Sequence, residues 1–150
     1  MTRLSLEDVR LNEADPVRPS GGSRAPRILV LDDDPEAAAA VGGALSDLGD
    51  VYTATTSAQA LVLARVVRPD FGVIDVVLPR MDGFAVVEAM RRIPGLATLP
   101  ILFITGSDRI DIAVRAREIG VPTILYKPLD VQALRDAVVE RLRRPDPAVS

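Results

Sequence analysis

The sequence has no cysteine, no histidine and no tryptophan among its 150 residues. Without cysteine there is neither a disulfide framework nor a thiolate metal site. Without histidine there is no Ser-His-Asp triad, no histidine-ligated zinc and no histidine phosphotransfer on this chain. Aromatic residues make up only 3% of a chain that is 48% hydrophobic, so Val, Leu, Ile and Ala must build the core. No apolar run approaches membrane-spanning length. The opening, MTRLSLEDVR, carries charges where a secretion signal needs an apolar stretch. A formal net charge of −3 argues against a nucleic-acid partner, which usually requires a basic stripe. These exclusions lead to the expectation of a soluble, cytoplasmic protein, and the length suits one domain.

Residues 1–26 include EADPVRPSGGSRAP, rich in Pro, Gly, Ser and charge, and are expected to form a flexible arm. Within it, SLEDVRL could make one amphipathic turn with Ser5 and Asp8 at capping-box spacing. From Arg27 onward, short apolar runs alternate with helical patterns. Strands are predicted at 28–31, 51–53, 71–75, 101–105 and 123–126. Helices are predicted at 35–48, 58–67, 84–92, 108–119 and 131–143. Five βα units imply a mostly parallel sheet with helices on both faces. Asp34, Thr56 with Gln59, Asp82 and Asp130 are N-cap candidates, and Gly49 is the expected stop of the first helix. Gly42 and Gly43 fall inside that helix without a local reason.

The stretch RILVLDDDPE raises the functional question, because an apolar strand runs straight into Asp32, Asp33 and Asp34. In open α/β sheets, sites form beyond the carboxyl ends of the strands, at a topological switch point. Asp75 ends the third strand, so neighbouring first and third strands would bring three carboxylates together. Like charges at that spacing raise one another's pKa, and a hard cation such as Mg²⁺ removes the conflict. Asp34, followed by Pro35, is assigned to capping the next helix. The fourth predicted strand ends on the hydroxyl of Thr105, and Lys127 follows the fifth. A hydroxyl and an ammonium at the same edge suit a tetrahedral anion. Together these groups equip a carboxylate to accept a phosphoryl group.

In these motifs the chain resembles the receiver domain of two-component response regulators, over residues 27–143. ILVLDDDP resembles the family's acid-pair motif and DVVLPRMDGF its phosphoacceptor loop; ITG and YKP resemble its Thr and Lys-Pro signatures. The resemblance implies a flavodoxin-like sheet in the order 2-1-3-4-5. It implies Asp75 as the phosphorylated residue, with Asp32, Asp33, Asp75 and the Val77 backbone carbonyl holding Mg²⁺. Thr105 and Lys127 would contact the phosphoryl group, and the Lys127–Pro128 bond would be cis. One departure is Ile124, where receivers usually carry a switch aromatic; Tyr126 is the nearby ring and shares the strand parity of Ile124. Val77, which cannot hydrogen-bond a hydrolytic water, is expected to lengthen the life of the phosphoryl group relative to Asn, and Gly106 leaves the site open.

A histidine kinase or a histidine phosphotransfer protein would be the donor. The given sequence ends soon after the last predicted helix, at RRPDPAVS, residues 143–150, so output is expected through contact with another protein. The expected surface is the fourth helix, fifth strand and fifth helix, where Ile110 and Val114 lie at i, i+4 and face either outward or into the sheet. The same face would allow a homodimer. Apart from catalysing its own phosphoryl transfer and dephosphorylation, the protein is not expected to be an enzyme. Three other readings stay open: a relay or phosphate sink without active output, a flavodoxin-like nucleotide binder, and a haloacid-dehalogenase-like phosphatase. The second would need a Gly-rich loop where DDDPE stands. The third would use the Asp-x-Asp of Asp32 and Asp34, with Asp32 as nucleophile.

Overall fold

The computed structural model describes residues 24–143. The segment SLEDVRL and the tail 144–150 lie outside the described residues. The strands are β1 (Arg27–Leu31), β2 (Asp50–Ala54), β3 (Phe71–Asp75), β4 (Ile101–Thr105) and β5 (Ile124–Tyr126). The helices are α1 (Pro35–Leu45), α2 (Ser57–Val67), α3 (Gly83–Arg91), α4 (Ile110–Glu118) and α5 (Val131–Arg143). All four strand pairings are parallel, and the sheet order is β2-β1-β3-β4-β5. The reversal between β1 and β3 opens the crevice in which such sheets place their sites.

Strand residues alternate between two apolar layers, because successive side chains point to opposite faces. Leu29, Leu31, Tyr52, Ile74 and Phe103 pack under α2, α3 and α4. Ile28, Val30, Val51, Val73 and Ile104 pack under α1 and α5. Burial on both faces is why the strands read as continuous apolar runs. With few rings available, Phe84 of α3 and Phe103 of β4 meet edge-on at 5.1 Å between centroids.

The expected caps form. Asp34 accepts the Glu36 N–H, Thr56 the Gln59 N–H, Asp82 the Ala85 N–H, and Asp130 the N–H groups of Gln132 and Ala133. The Gln59 side chain reaches back one residue further than a capping box requires, accepting the Thr55 N–H at 3.0 Å and not that of the cap, Thr56. Two boundaries differ from expectation by more than one residue. Helix α1 ends at Leu45, capped by Ser46, and not at Gly49. Gly49 serves a close approach instead: a Cβ there would overlap the Pro26 carbonyl oxygen, which accepts the Asp50 N–H at 2.9 Å. Helix α4 begins at Ile110 and not at Asp108, because Arg109 is extended and no side chain caps it. Residues of the expected arm also join the body. Arg24 grips both oxygens of Asp70 at 2.8 and 3.0 Å, and the Pro26 carbonyl anchors the start of β2.

Candidate functional site

The carboxyl ends of β1, β3 and β4 converge because these strands are neighbours in register. Leu31 pairs with Ile74, and Asp75 pairs with Ile104. Asp32, one residue past β1, is fully buried, and Asp75 closes β3 at 3% exposure. Asp33 is exposed. One carboxylate oxygen from each of the three lies within 4.8 Å of the others. The sequence-predicted acids are thus brought together, two in the interior and one at the rim.

Lys127 follows β5 and reaches back across the sheet edge. Its Nζ donates to Asp32 Oδ2 at 2.8 Å and to Asp75 Oδ2 at 3.0 Å. The Lys127 N–H is held by the Thr105 carbonyl at 2.8 Å, and the following bond to Pro128 is cis as expected. The remaining oxygens are held by backbone. Asp32 Oδ1 accepts the Asp34 N–H at 3.0 Å, and Asp75 Oδ1 accepts the Val77 N–H at 3.1 Å. The Thr105 side chain is fully buried, and its hydroxyl turns to its own loop, accepting the Ser107 N–H at 3.1 Å.

The electrostatics follow from this burial. Desolvation pushes the Asp75 carboxyl above the usual carboxylate range, against the opposing pull of Lys127. At Lys127 burial works to lower the pKa, but its bonds to Asp32 and Asp75 outweigh it and the ammonium is held above its usual value. Two acids already sharing one ammonium, with a third beside them, form a cluster that demands positive charge. Its donors are all hard oxygens, which fit Mg²⁺. Asp34, by contrast, spends its side chain on the α1 cap. That leaves the Asp-x-Asp reading without its second acid.

Between β3 and α3 runs the loop from Val76 to Asp82. The Val77 side chain is 57% exposed and offers no polar atom. The Gly83 N–H closes the loop onto the Val76 carbonyl at 2.8 Å. A Cβ on Gly83 would overlap the Asp75 carbonyl oxygen, so glycine lets α3 start against the acceptor strand. Arg80 takes a left-handed φ of 69°. Sequence reading missed the roles of Gly83 and Arg80, although the dipeptide Asp82-Gly83 carried a turn signal.

Residues 28–139 match the response regulator receiver domain family. The chain belongs to that family. This receiver is 35% identical over 122 residues to the DNA-binding dual master transcriptional regulator RpaA of Synechocystis sp., covering 81% of this chain and 51% of the relative. It is 35% identical over 124 residues to the transcriptional regulatory protein PrrA of Mycobacterium tuberculosis, covering 82% and 52%. The chain therefore spans about half the length of these curated relatives. Among solved structures it resembles chemotaxis protein CheY4 of Vibrio cholerae, with 28% identity, a TM-score of 0.72, and coverage of 79% of this chain and 98% of that one. A CheY-like receiver domain protein of Methanospirillum hungatei shares the fold at 22% identity and a TM-score of 0.73, covering 80% and 94%. Receivers are signalling switches of two-component systems, and phospho-aspartate and Mg²⁺ are typical of the family. Among the described residues no helix is long and apolar enough to cross a membrane.

Proposed function

We propose that the receiver is a phosphorylation-controlled switch that accepts a phosphoryl group on Asp75 and signals by contact with another protein. The observation that carries this reading is the buried Asp75 carboxylate sharing the Lys127 ammonium with Asp32. A carboxylate oxygen of Asp75 attacks the donor phosphorus. The P–N bond of a phosphohistidine, or the P–O bond of an acyl phosphate, breaks, and the leaving group departs with its electron pair. Asp32, Asp33 and Asp75, with the Val77 carbonyl, would hold Mg²⁺, whose charge offsets that of the phosphoryl oxygens when bound. Lys127 holds positive charge beside the acceptor. The Val77 N–H fixes the carboxylate, and the Thr105 hydroxyl supplies a donor for a phosphoryl oxygen.

A histidine kinase or a histidine phosphotransfer protein is the proposed donor, and residues 27–143 are the proposed receiver unit. The proposed output surface is α4–β5–α5, since Ile110, Val114 and Tyr126 are 80%, 52% and 46% exposed there. Of the two orientations open from sequence, Ile110 and Val114 adopt the outward one. Phosphorylation would shift the population toward the conformer that a protein partner prefers.

The test is intact mass after incubation with Mg²⁺ and a small acyl phosphate or the phosphorylated kinase. The natural protein should gain one phosphoryl mass, EDTA should prevent it, and Asp75→Asn should gain none. A gain in Asp75→Asn would overturn the assignment and move the nucleophile to another acid.

A further inference from the structure

The β3–α3 loop carries Val77, whose N–H fixes the acceptor carboxylate, and most of its hydrogen bonds are internal. Gly83 N–H closes on Val76 at 2.8 Å, and Met81 N–H on Pro79 at 2.8 Å. Two bonds come from distant elements: the Val76 N–H donates to the Ile104 carbonyl of β4 at 2.9 Å where the loop leaves β3, and one side chain reaches its far end. The Ser57 hydroxyl, at the first position of α2, donates to the Met81 carbonyl at 2.9 Å across 24 residues of sequence. Ser57 is free to do this because the side chain of Thr56 caps α2.

We infer that Ser57 is a positioning residue for the phosphoacceptor loop, acting through Met81 on the backbone that carries Val77. Met81 sits between a strained turn and a fixed helix start. On one side Arg80 holds a left-handed φ of 69°, a conformation that L-residues adopt at a cost. On the other, Asp82 caps α3, and Gly83 abuts the Asp75 carbonyl. A tether at the carbonyl between them ties the turn to α2, an element packed on the same sheet face. Without that bond, the Arg80 turn can relax and the Val77 backbone, one of the proposed ligands, loses its fixed position. The effect on Mg²⁺ and phosphoryl transfer rests on the function proposed above; the tether itself does not.

The experiment compares natural protein with Ser57→Ala and Ser57→Thr. Amide hydrogen exchange of residues 76–83 is measured without metal, Mg²⁺ affinity by calorimetry, and phosphorylation rate with acyl phosphate. Ser57→Ala should exchange faster across the loop and bind Mg²⁺ more weakly by roughly two- to tenfold, the size of one neutral hydrogen bond. Exchange in β1 and β4 should stay unchanged, and Ser57→Thr, which keeps the hydroxyl, should restore both values. Natural loop exchange and Mg²⁺ affinity in Ser57→Ala would overturn the inference. So would a loss that Ser57→Thr fails to restore. If the natural protein takes no phosphoryl group while Ser57→Ala still loosens the loop, the positioning role stands and the phosphoacceptor reading falls.

Discussion

Asp75 holds a carboxylate where burial disfavours its charge, and this has a direct consequence for stability. Its folded pKa lies above the unfolded value. Between those two values the folded state holds more proton than the unfolded chain, so stability falls as pH rises through that window. The loss is complete once the pH is above the folded value, and it vanishes below the unfolded Asp value of about 3.9. Asp75→Asn removes the penalty while keeping the shape. In metal-free buffer it should therefore melt a few degrees above the natural protein at pH 7, and the gap should close as the pH is lowered toward 3. A variant that melts below the natural protein at pH 7 would show that the Lys127 bond outweighs desolvation. Asp32, Asp75, Thr105 and Lys127 were legible in the sequence because their residue types declare chemistry and each sits at or just after a strand end. Gly83 and Ser57 were not, since what each touches is 8 and 24 residues away and is set by packing.

At the scale of elements, the helix starts were the most readable feature, because a cap is a local hydrogen bond between residues two or three apart. Asp130 is the clearest case, accepting from Gln132 N–H at 2.9 Å and Ala133 N–H at 3.1 Å. Asp130→Ala should cost about 1 kcal/mol, seen as a lower midpoint in urea with an unchanged slope. An unchanged midpoint would mean that the packing of Leu134 and Val138 alone sets the start of α5. Of the two boundaries misread by more than one residue, the first involves a distant contact and the second is local. Gly49 reads as a helix stop, yet its lack of a side chain is used against Pro26. Asp108 reads as the start of α4, yet the chain stays extended through Arg109. Gly42 and Gly43 remain without a structural account.

At the scale of the molecule, the strand order follows from five βα units only in its broad class; the order itself entered with the family resemblance. The layering was legible, because strands buried on both faces leave no polar alternation. The two apolar layers share the sheet but no side chains. Changes on opposite faces should then behave independently. Ile28→Val and Ile101→Val, one in each layer, should each cost about 0.5–1.5 kcal/mol. Together they should add to within about 0.5 kcal/mol by chemical denaturation. A larger coupling would show that the sheet backbone transmits strain between its faces.

This division also bears on how such a chain can change over generations. The layer under α1 and α5 and the layer under α2, α3 and α4 form two half-cores on either side of one wall, and the acids stand on the wall's rim. Either half can drift, residue by residue, without asking the other to compensate. A lineage could thus remodel the α4 side for a new listener while the chemistry at the rim is inherited intact.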